Sequence, residues 1–404
     1  MIGEVARAPI AAPPDEAAGV STELIVGTSA FLALESEWKE LFEASRTQNP
    51  FLCWEWVSTW ARHFCGDRLR TIIVRRGKRM IAVAPFYLNR YLIGPGVHAT
   101  ALQLLGPKEV HNLFEMREVL VSPGDEHAAM DSVLGSALDI PGWDWIEVSA
   151  QGENLAAWNE ILTRRQLSGF ELHREPAVSI PLMTLESSWE AQRKVMKRNI
   201  KESIRHCYNA LRRDKHEYVF VADGGSSNSV DAARRLVELH HRRSLVQVRR
   251  WHRDNFADET IQAFEVEALS RMHTAGHARF AELAIDSQII ASRACLESHD
   301  ALYFYYSGFD PLWWKYSVMT LVVTEAIKDA IDRRLSTVNF SPGVDDSKSR
   351  WGVSLQTMQT FALVRDRARH RVRFRLLRFR KRIRQPLHRR VDQVLGLFRS
   401  RHQG

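Results

Sequence analysis

The segment that most constrains the fold runs from Ala301 to Ser341 and is typical of a strand, a helix and a second strand. The first strand, 301–308, is rich in aromatic residues, and the second, 336–341, follows the helix almost at once. Between them, apolar residues recur with helical spacing at Met319, Val322, Val323, Ala326, Ile327 and Ala330. A helix that connects two strands of one sheet makes them parallel, with a right-handed crossover. The segment therefore predicts an α/β fold.

The loops that follow these two strands share one edge of the predicted sheet. Ligands of open α/β sheets bind at that edge, beyond the carboxyl ends of the strands. The helix begins near Ser317, no acid lies between residues 315 and 324, and Lys315 adds a positive charge. Free N–H groups at a helix N-terminus attract anions, so we expect a site for a group such as pyrophosphate. The alternative is that Ser317 only caps its own helix and that this end binds water.

The loop after the second strand, "SPGVDDSKSRWG" from Ser341 to Gly352, mixes turn residues, charges and a tryptophan. Gly343 permits a tight turn, and the adjacent aspartates are suited to attract a cationic acceptor. Lys348 and Arg350 are candidates for phosphate binding. The candidate substrate-binding residues are Gly343, Asp346, Lys348, Arg350 and Trp351, with Asp345 as a candidate catalytic carboxylate. The alternative is a solvated loop whose tryptophan plugs the interface between two lobes.

The pattern "YYSGFDPLWWKYSVMTLVVTEAIKDAI…VNFSPGVDDSKSRWG" resembles the CelD-like acetyltransferases of the GNAT superfamily. The matching residues are Gly308, Phe309 and Asp310 at the strand end, Tyr316 and Ser317 at the helix start, and Gly343, Lys348 and Trp351 in the final loop. "FLCWEWVSTWARHF" and "APFYL" in the first half are also similar to that family, so the resemblance covers about residues 30–364. The family's Pro-Gly at the helix start is replaced by Val318 and Met319. A methionine there narrows the approach of phosphates to the backbone.

The resemblance implies an α/β fold with tandem GNAT-like lobes, each a mixed sheet flanked by helices, at residues 23–185 and 186–364. It implies an acyl-CoA-dependent N-acyltransferase that uses acetyl-CoA or another acyl-CoA as co-substrate, without a metal. The implied cofactor-binding residues are Lys315, Tyr316, Ser317, Val318, Met319 and Thr320. The implied acceptor is the amine of a small molecule, sugar or peptide, and the implied setting is bacterial polysaccharide or cell-envelope biosynthesis.

Two more residues are candidates for proton transfer. Glu282 lies in "RFAELAID", where the resemblance places a catalytic carboxylate, and apolar neighbours on its strand favour a raised pKa. Pairing with Arg293 on the next strand is the alternative. Tyr305 and Tyr306 end a strand at the crevice, and Tyr306 is the candidate donor to the leaving thiolate, unless both rings belong to the core.

The C-terminal tail holds most of the positive charge. The net charge is +8, but residues 365–401 alone carry +13, which leaves −5 for the rest. Val372, Leu376, Phe379 and Ile383 form a helical stripe among arginines, which favours a basic amphipathic helix on an anionic membrane surface. Nucleic-acid binding is a weaker alternative because no nucleic-acid-binding fold accompanies the tail. A disordered tail without function is the third alternative.

The remaining composition favours a cytoplasmic protein, held peripherally at the inner face of the membrane by its tail. Residues 1–22 have no apolar core of a secretory signal and are typical of a disordered leader. The four cysteines are scattered, which argues against a disulfide framework or structural zinc. Two other functions stay open: a Fem-type transferase that uses aminoacyl-tRNA, and a non-catalytic interaction protein that kept the fold but lost the cofactor site.

Overall fold

A computed structural model describes residues 19–106, 113–164, 167–222, 228–245 and 253–380. These residues form one continuous mixed sheet of 14 strands with helices on both faces. The strands are β1 Val20–Val26, β2 Leu69–Arg76, β3 Arg79–Gly94, β4 Val97–Leu104, β5 Leu120–Val121, β6 Trp145–Gln151, β7 Phe170–Arg174, β8 Val178–Thr184, β9 Tyr218–Val221, β10 Ala278–Ile285, β11 Gln288–Ser298, β12 Ala301–Phe309, β13 Thr337–Asn339 and β14 Ser354–Arg365. The helices are α1 Thr28–Leu32, α2 Glu35–Ser45, α3 Trp54–Phe64, α4 Glu126–Asp139, α5 Gly152–Arg164, α6 Trp189–Val195, α7 Arg198–Arg213, α8 Ser229–Leu245, α9 Glu259–Thr274, α10 Val318–Asp332 and α11 Asp346–Ser349.

The same plan occurs twice along the chain. In the first lobe an antiparallel meander, β1 to β4, is followed by the crossover helix α4 and by β6, which pairs with β4 in parallel. In the second lobe the meander β9 to β12 is followed by α10 and by β13, which pairs with β12 in parallel. This confirms the fold class, including the predicted parallel pair around 301–341.

The tryptophan-rich helix α3 packs between the lobes. Trp56 and Trp60 lie edge-on to Phe264 of α9, with ring centroids 5.1 Å apart in each pair. Phe51, just before α3, contacts Tyr303 and Tyr305 of β12. One hydrophobic core therefore includes residues of both lobes, which explains why the first half buries so many large aromatic side chains.

The lobes also exchange strands. β8, which lies at the end of the range predicted for the first lobe, pairs with β13 of the second lobe. β14 pairs with β8 through its first residues and with β6 and β7 of the first lobe through its last ones. A division of the chain at residue 185 therefore does not separate two self-contained sheets.

Several predicted boundaries need correction. β1 starts at Val20, so an irregular leader extending to residue 22 is wrong, and residues 1–18 lie outside the described residues. The basic sequence from Ser187 to Asp214 predicts one long helix, but it forms two helices, α6 and α7. They are separated at Met196 and Lys197, which have extended backbone. Ser188 caps α6, because its side chain accepts a hydrogen bond from the Ala191 N–H at 3.2 Å.

The first part of the tail is a helix, residues 368–380, that docks on the first lobe. Phe374 and Leu377 are buried against Trp145 and its neighbours, so these two side chains are not free to contact lipid. Val372, Leu376 and Phe379 are exposed. Residues 381–404, with Ile383, lie outside the described part. No helix within the described ranges has the length and apolarity needed to cross a bilayer.

Candidate active site

The candidate site is built where β12 and β13 separate. The two strands pair in register only from Ala301 to Tyr303 against Thr337 to Asn339. Farther along, the register with β11 shifts, so that β12 gains one residue between Phe304 and Ser307. Such a bulge bends a strand and often re-aims side chains beside an active site. Both Tyr305 and Tyr306 consequently contact the interlobe core, with ring centroids 4.6 Å apart.

The N-terminus of α10 lies at the same edge and is open to anions. Ser317 precedes the helix in the left-handed region, with φ 51° and ψ 44°, and its exposed side chain does not cap the helix. The first turn contains no acid. Met319 packs against the second-lobe core and stays partly exposed. Of the predicted backbone donors, the N–H groups of Ser317 and Thr320 already donate to the carbonyl oxygens of Trp314 and Ser317, at 3.0 and 2.8 Å. The N–H groups of Val318 and Met319 are therefore the candidates for binding an anion.

Arg350 supplies a cation beside this helix N-terminus. Its Nη2 donates a hydrogen bond to Thr320 Oγ1 at 3.0 Å, in the first turn of α10. Its Nε is buried and has no hydrogen-bond partner. Burial lowers the pKa of Arg350, so the charge is incompletely compensated by its surroundings. The phosphate-binding role of Arg350 stays a prediction.

The side chains of Lys315 and Tyr316, the two residues before Ser317, contact residues that follow α7. The Tyr316 side chain is buried, and its hydroxyl contacts Asp214 Oδ2 and His216 Nε2 at 2.8 Å each. Lys315 lies over the Tyr316 ring and 3.5 Å from Asp214 Oδ2. Their side chains hold α7 to the turn at Pro311–Tyr316, and the cofactor-binding role of these two residues stays a prediction.

The loop after β13 is held together internally. Gly343 has φ +90°, as the predicted tight turn requires. Lys348 Nζ donates to the carbonyl oxygens of Ser341, Pro342 and Gly343 at 3.0–3.2 Å, which leaves no capacity for a phosphate. Lys348 is therefore a positioning residue, in correction of its predicted role.

Two other predicted site residues in this loop are structural. Asp345 caps α11 by accepting from the Ser347 and Lys348 N–H groups at 2.8 and 3.1 Å. Burial acts the other way, but hydrogen bonds from Ser347 and these N–H groups hold the pKa of Asp345 below its usual range. A carboxylate of low pKa is a weak base. Trp351 is buried in the second-lobe core beside Phe340 and does not cover a cleft, whereas Asp346 is exposed.

Glu282 is fully buried but is already paired. Arg235 of α8 donates Nε to Glu282 Oε1 at 3.1 Å and Nη2 to Oε2 at 2.8 Å. The predicted alternative partner, Arg293, is not the residue that binds it. Both oxygens of this carboxylate are thus engaged by one guanidinium group, and the geometry favours a structural role. Tyr306 is partly exposed between His240 and Phe256, and its role as an acid stays a prediction.

Three charged residues near the separation of β12 and β13 were missed as site residues by the sequence analysis. Glu115, in the loop before β5, reaches across from the first lobe and accepts a hydrogen bond from the Tyr303 hydroxyl. Its negative charge raises the pKa of both Lys348 and Arg293, against the larger effect of burial. Arg243 and Arg293 meet at Ser307. Residues from both lobes thus face this point, and no local pattern around them signals it.

Comparison with known proteins agrees with the geometry. Residues 197–349 match the family described as "Acetyltransferase (GNAT) domain", and this match contains β12, α10, β13 and the loop to Ser349. No curated protein matches the sequence significantly. Within the described residues, no group of three His, Cys, Asp or Glu side chains is arranged to hold a metal ion.

Solved structures with a similar fold span both lobes. FemX is 10% identical with a TM-score of 0.53, over 80% of this chain and 95% of that chain. L-PGS from Bacillus licheniformis is 10% identical with a TM-score of 0.50, over 86% and 96%. A conserved protein of unknown function from Bacteroides thetaiotaomicron is 12% identical with a TM-score of 0.50, over 82% and 97%. These likenesses concern the fold. Within the second lobe, residues 197–349 are matched as a GNAT acetyltransferase domain, while the CelD-like subtype stays a prediction.

Proposed function

We propose that the protein transfers an acyl group from acyl-CoA, with acetyl-CoA as the first candidate, to an amine. The observation that carries this proposal is the position of the GNAT domain match on the β12–α10–β13 unit. In that unit the strands separate beside an uncapped, acid-free helix N-terminus. The pyrophosphate of the cofactor binds the N–H groups at the start of α10 together with Arg350, and the thioester lies between β12 and β13.

The reaction follows from the thioester. The acceptor ammonium first loses a proton to a base, and its nitrogen then attacks the thioester carbonyl carbon. As the C–N bond forms and the C–S bond breaks, the sulfur takes the electron pair and a proton, and the nitrogen loses its second proton. The products are an amide and CoA thiol. Glu115 is placed better than Glu282 for taking the ammonium proton, because Glu282 is held by Arg235. Tyr306 is the proposed donor to sulfur.

Calorimetric titration with acetyl-CoA tests the proposal. Arg350→Gln removes a charged donor, and charge-assisted hydrogen bonds contribute about 1.5–3 kcal/mol. We therefore expect affinity for acetyl-CoA to fall by roughly 10- to 150-fold in this variant. Arg198→Gln is the control, because its side chain is 90% exposed and pairs with Glu202 on the surface of α7.

The same titration can refute the proposed reaction. If the folded wild-type protein gives no heat and no thermal shift with millimolar acetyl-CoA, the acyl-CoA reaction is refuted. The same preparation titrated with aminoacyl-tRNA then tests the Fem-type alternative. If neither acetyl-CoA nor aminoacyl-tRNA binds, the remaining alternative is a non-catalytic interaction protein. The setting in polysaccharide or cell-envelope biosynthesis rests on the family resemblance, whereas the cytoplasmic location is an expectation from the composition of the sequence.

A further inference from the structure

Two arginine side chains converge on one hydroxyl next to the proposed acyl site. Arg243 of α8 donates through Nη1 to Ser307 Oγ at 3.5 Å, and Arg293 of β11 donates through Nη2 to the same oxygen at 3.3 Å. Ser307 lies on β12 immediately after the bulged residues. The two positive charges are thus brought together at the end of the strand that lines the cleft.

The other contacts of these guanidinium groups are uncharged. Arg293 Nη1 donates to the Tyr305 carbonyl oxygen at 3.1 Å, and the group lies 5.1 Å from the centre of the Phe304 ring. Arg243 lies 5.2 Å from the centre of the Phe309 ring. Within the described residues, no carboxylate comes within 4.0 Å of either guanidinium. Arg293 Nε is buried without a hydrogen-bond partner.

Two like charges in this position are costly without a counter-charge. Burial lowers the pKa of Arg243 to about 10, and the neighbouring Arg293 charge acts in the same direction. Burial also lowers the pKa of Arg293, which the more distant Glu115 opposes. Both arginine residues are partly buried. Charges withdrawn from water are normally paired, and two adjacent guanidinium groups are suited to carboxylate and phosphate oxygens. An anion at this point offsets the desolvation of both arginines and supplies an acceptor for the unused Nε.

We propose that the acceptor amine carries an anionic group, a carboxylate or a phosphate, which binds Arg243 and Arg293 beside Ser307. This inference rests on the proposed acyl transfer, because it concerns the second substrate of that reaction. The anion holds the acceptor at the end of β12, and the amine points back toward the thioester between β12 and β13.

The binding of simple anions tests this site without knowledge of the acceptor. Melting temperatures are measured in chloride, inorganic phosphate and acetate at matched ionic strength, for wild type, Arg243→Met, Arg293→Met and Arg242→Met. Arg242 is the matched control, because it neighbours Arg243 in the sequence but is half exposed and pairs with Glu238. We expect at least one anion to raise the wild-type melting temperature by about 2 °C or more at tens of millimolar. The control responds equally, and the Arg243 and Arg293 variants lose the response.

The two anions separate the two sources of charge. A response to phosphate alone indicates a phosphorylated acceptor, and a response to acetate alone indicates a carboxylate. Equal responses of all four proteins, or no wild-type response to either anion, overturn the proposal. Acetyl-CoA titrated into the same four proteins keeps the two proposals apart. If acetyl-CoA does not bind but the anion response depends on Arg243 and Arg293, acyl transfer is refuted and the anion site stands as a site for another reaction.

Discussion

Replacement of Gly308 by alanine is expected to displace α8 from the sheet. A Cβ atom at this position would lie 2.1 Å from the amide nitrogen of His240 and 2.4 Å from the carbonyl carbon of Leu239. Both atoms belong to the backbone of a helix, so no side-chain rotation relieves the contact. Ordinary van der Waals contacts begin near 3.4 Å, which means that α8 has to retreat by about 1 Å.

The expected cost has two parts. Overpacking of a well-packed interior costs about 1–3 kcal/mol. The retreat of α8 also stretches the hydrogen bond from His240 Nδ1 to the Ser307 carbonyl oxygen, now 3.0 Å, and a hydrogen bond contributes roughly 0.5–1.5 kcal/mol. We expect Gly308→Ala to lower the free energy of unfolding by about 2–4 kcal/mol.

Urea unfolding followed by tryptophan fluorescence measures this difference. Gly94→Ala is the matched control, because its φ is not positive and the nearest atom to the added Cβ is Val97 Cβ at 3.9 Å. The control is expected to change stability by less than about 0.5 kcal/mol. If both variants unfold at the same urea concentration as wild type, the close packing of α8 on β12 is not what requires glycine at position 308.

Three further predictions concern a buried carboxyl, the thiols and the tail. Burial raises the pKa of Glu265 well above its usual range, so the folded protein keeps a proton that the unfolded chain releases above about pH 4.5. The stability contributed by this group is therefore lost as the pH rises. The melting temperature of Glu265→Gln, relative to that of wild type, should increase from pH 5 to pH 8. A melting-temperature difference that does not change with pH contradicts this. All four cysteines are buried, and burial raises the pKa of the Cys295 thiol to about 12. The native protein should therefore not react with DTNB at pH 8, whereas the urea-unfolded chain should release four equivalents of the coloured thiolate. On the docked tail helix, Leu376→Ser with Phe379→Ser should abolish flotation with phosphatidylglycerol vesicles, whereas Val195→Ser, an equally exposed valine elsewhere, should not. Equal flotation of wild type with phosphatidylcholine vesicles would refute the anionic-membrane hypothesis.

The parallel unit in the second lobe was predictable because its signals are local. The apolar spacing in α10 has a period of 3.6, and the flanking strands are short and aromatic or β-branched. The open N-terminus of α10 followed from the same stretch, since the absence of acids is visible in the sequence. Arg350 was predicted as a candidate for a related reason, because it follows a turn that the sequence marks with Gly343.

The rest of the site depends on contacts between residues far apart in the chain. Glu115 meets Tyr303 across 188 positions, and Arg243 meets Ser307 across 64. Lys348 was misassigned because a lysine that holds its own loop has the same local sequence as one that holds a phosphate. Glu282 was misassigned because its partner Arg235 comes from a helix and not from the adjacent strand. Pairing over such distances is a tertiary property that periodicity does not reveal.

The exchange of β8 and β14 also sets the order in which the molecule can be completed during synthesis. β6 has its parallel partner β4 as soon as the first half of the chain has emerged, but its other edge waits for β14. That edge presents unpaired backbone N–H and C=O groups while more than 200 residues are still being made. An incomplete first lobe therefore emerges from the ribosome, and its open edge must be kept from pairing with other chains. A chain truncated before residue 354 lacks β14 and should never cover this edge.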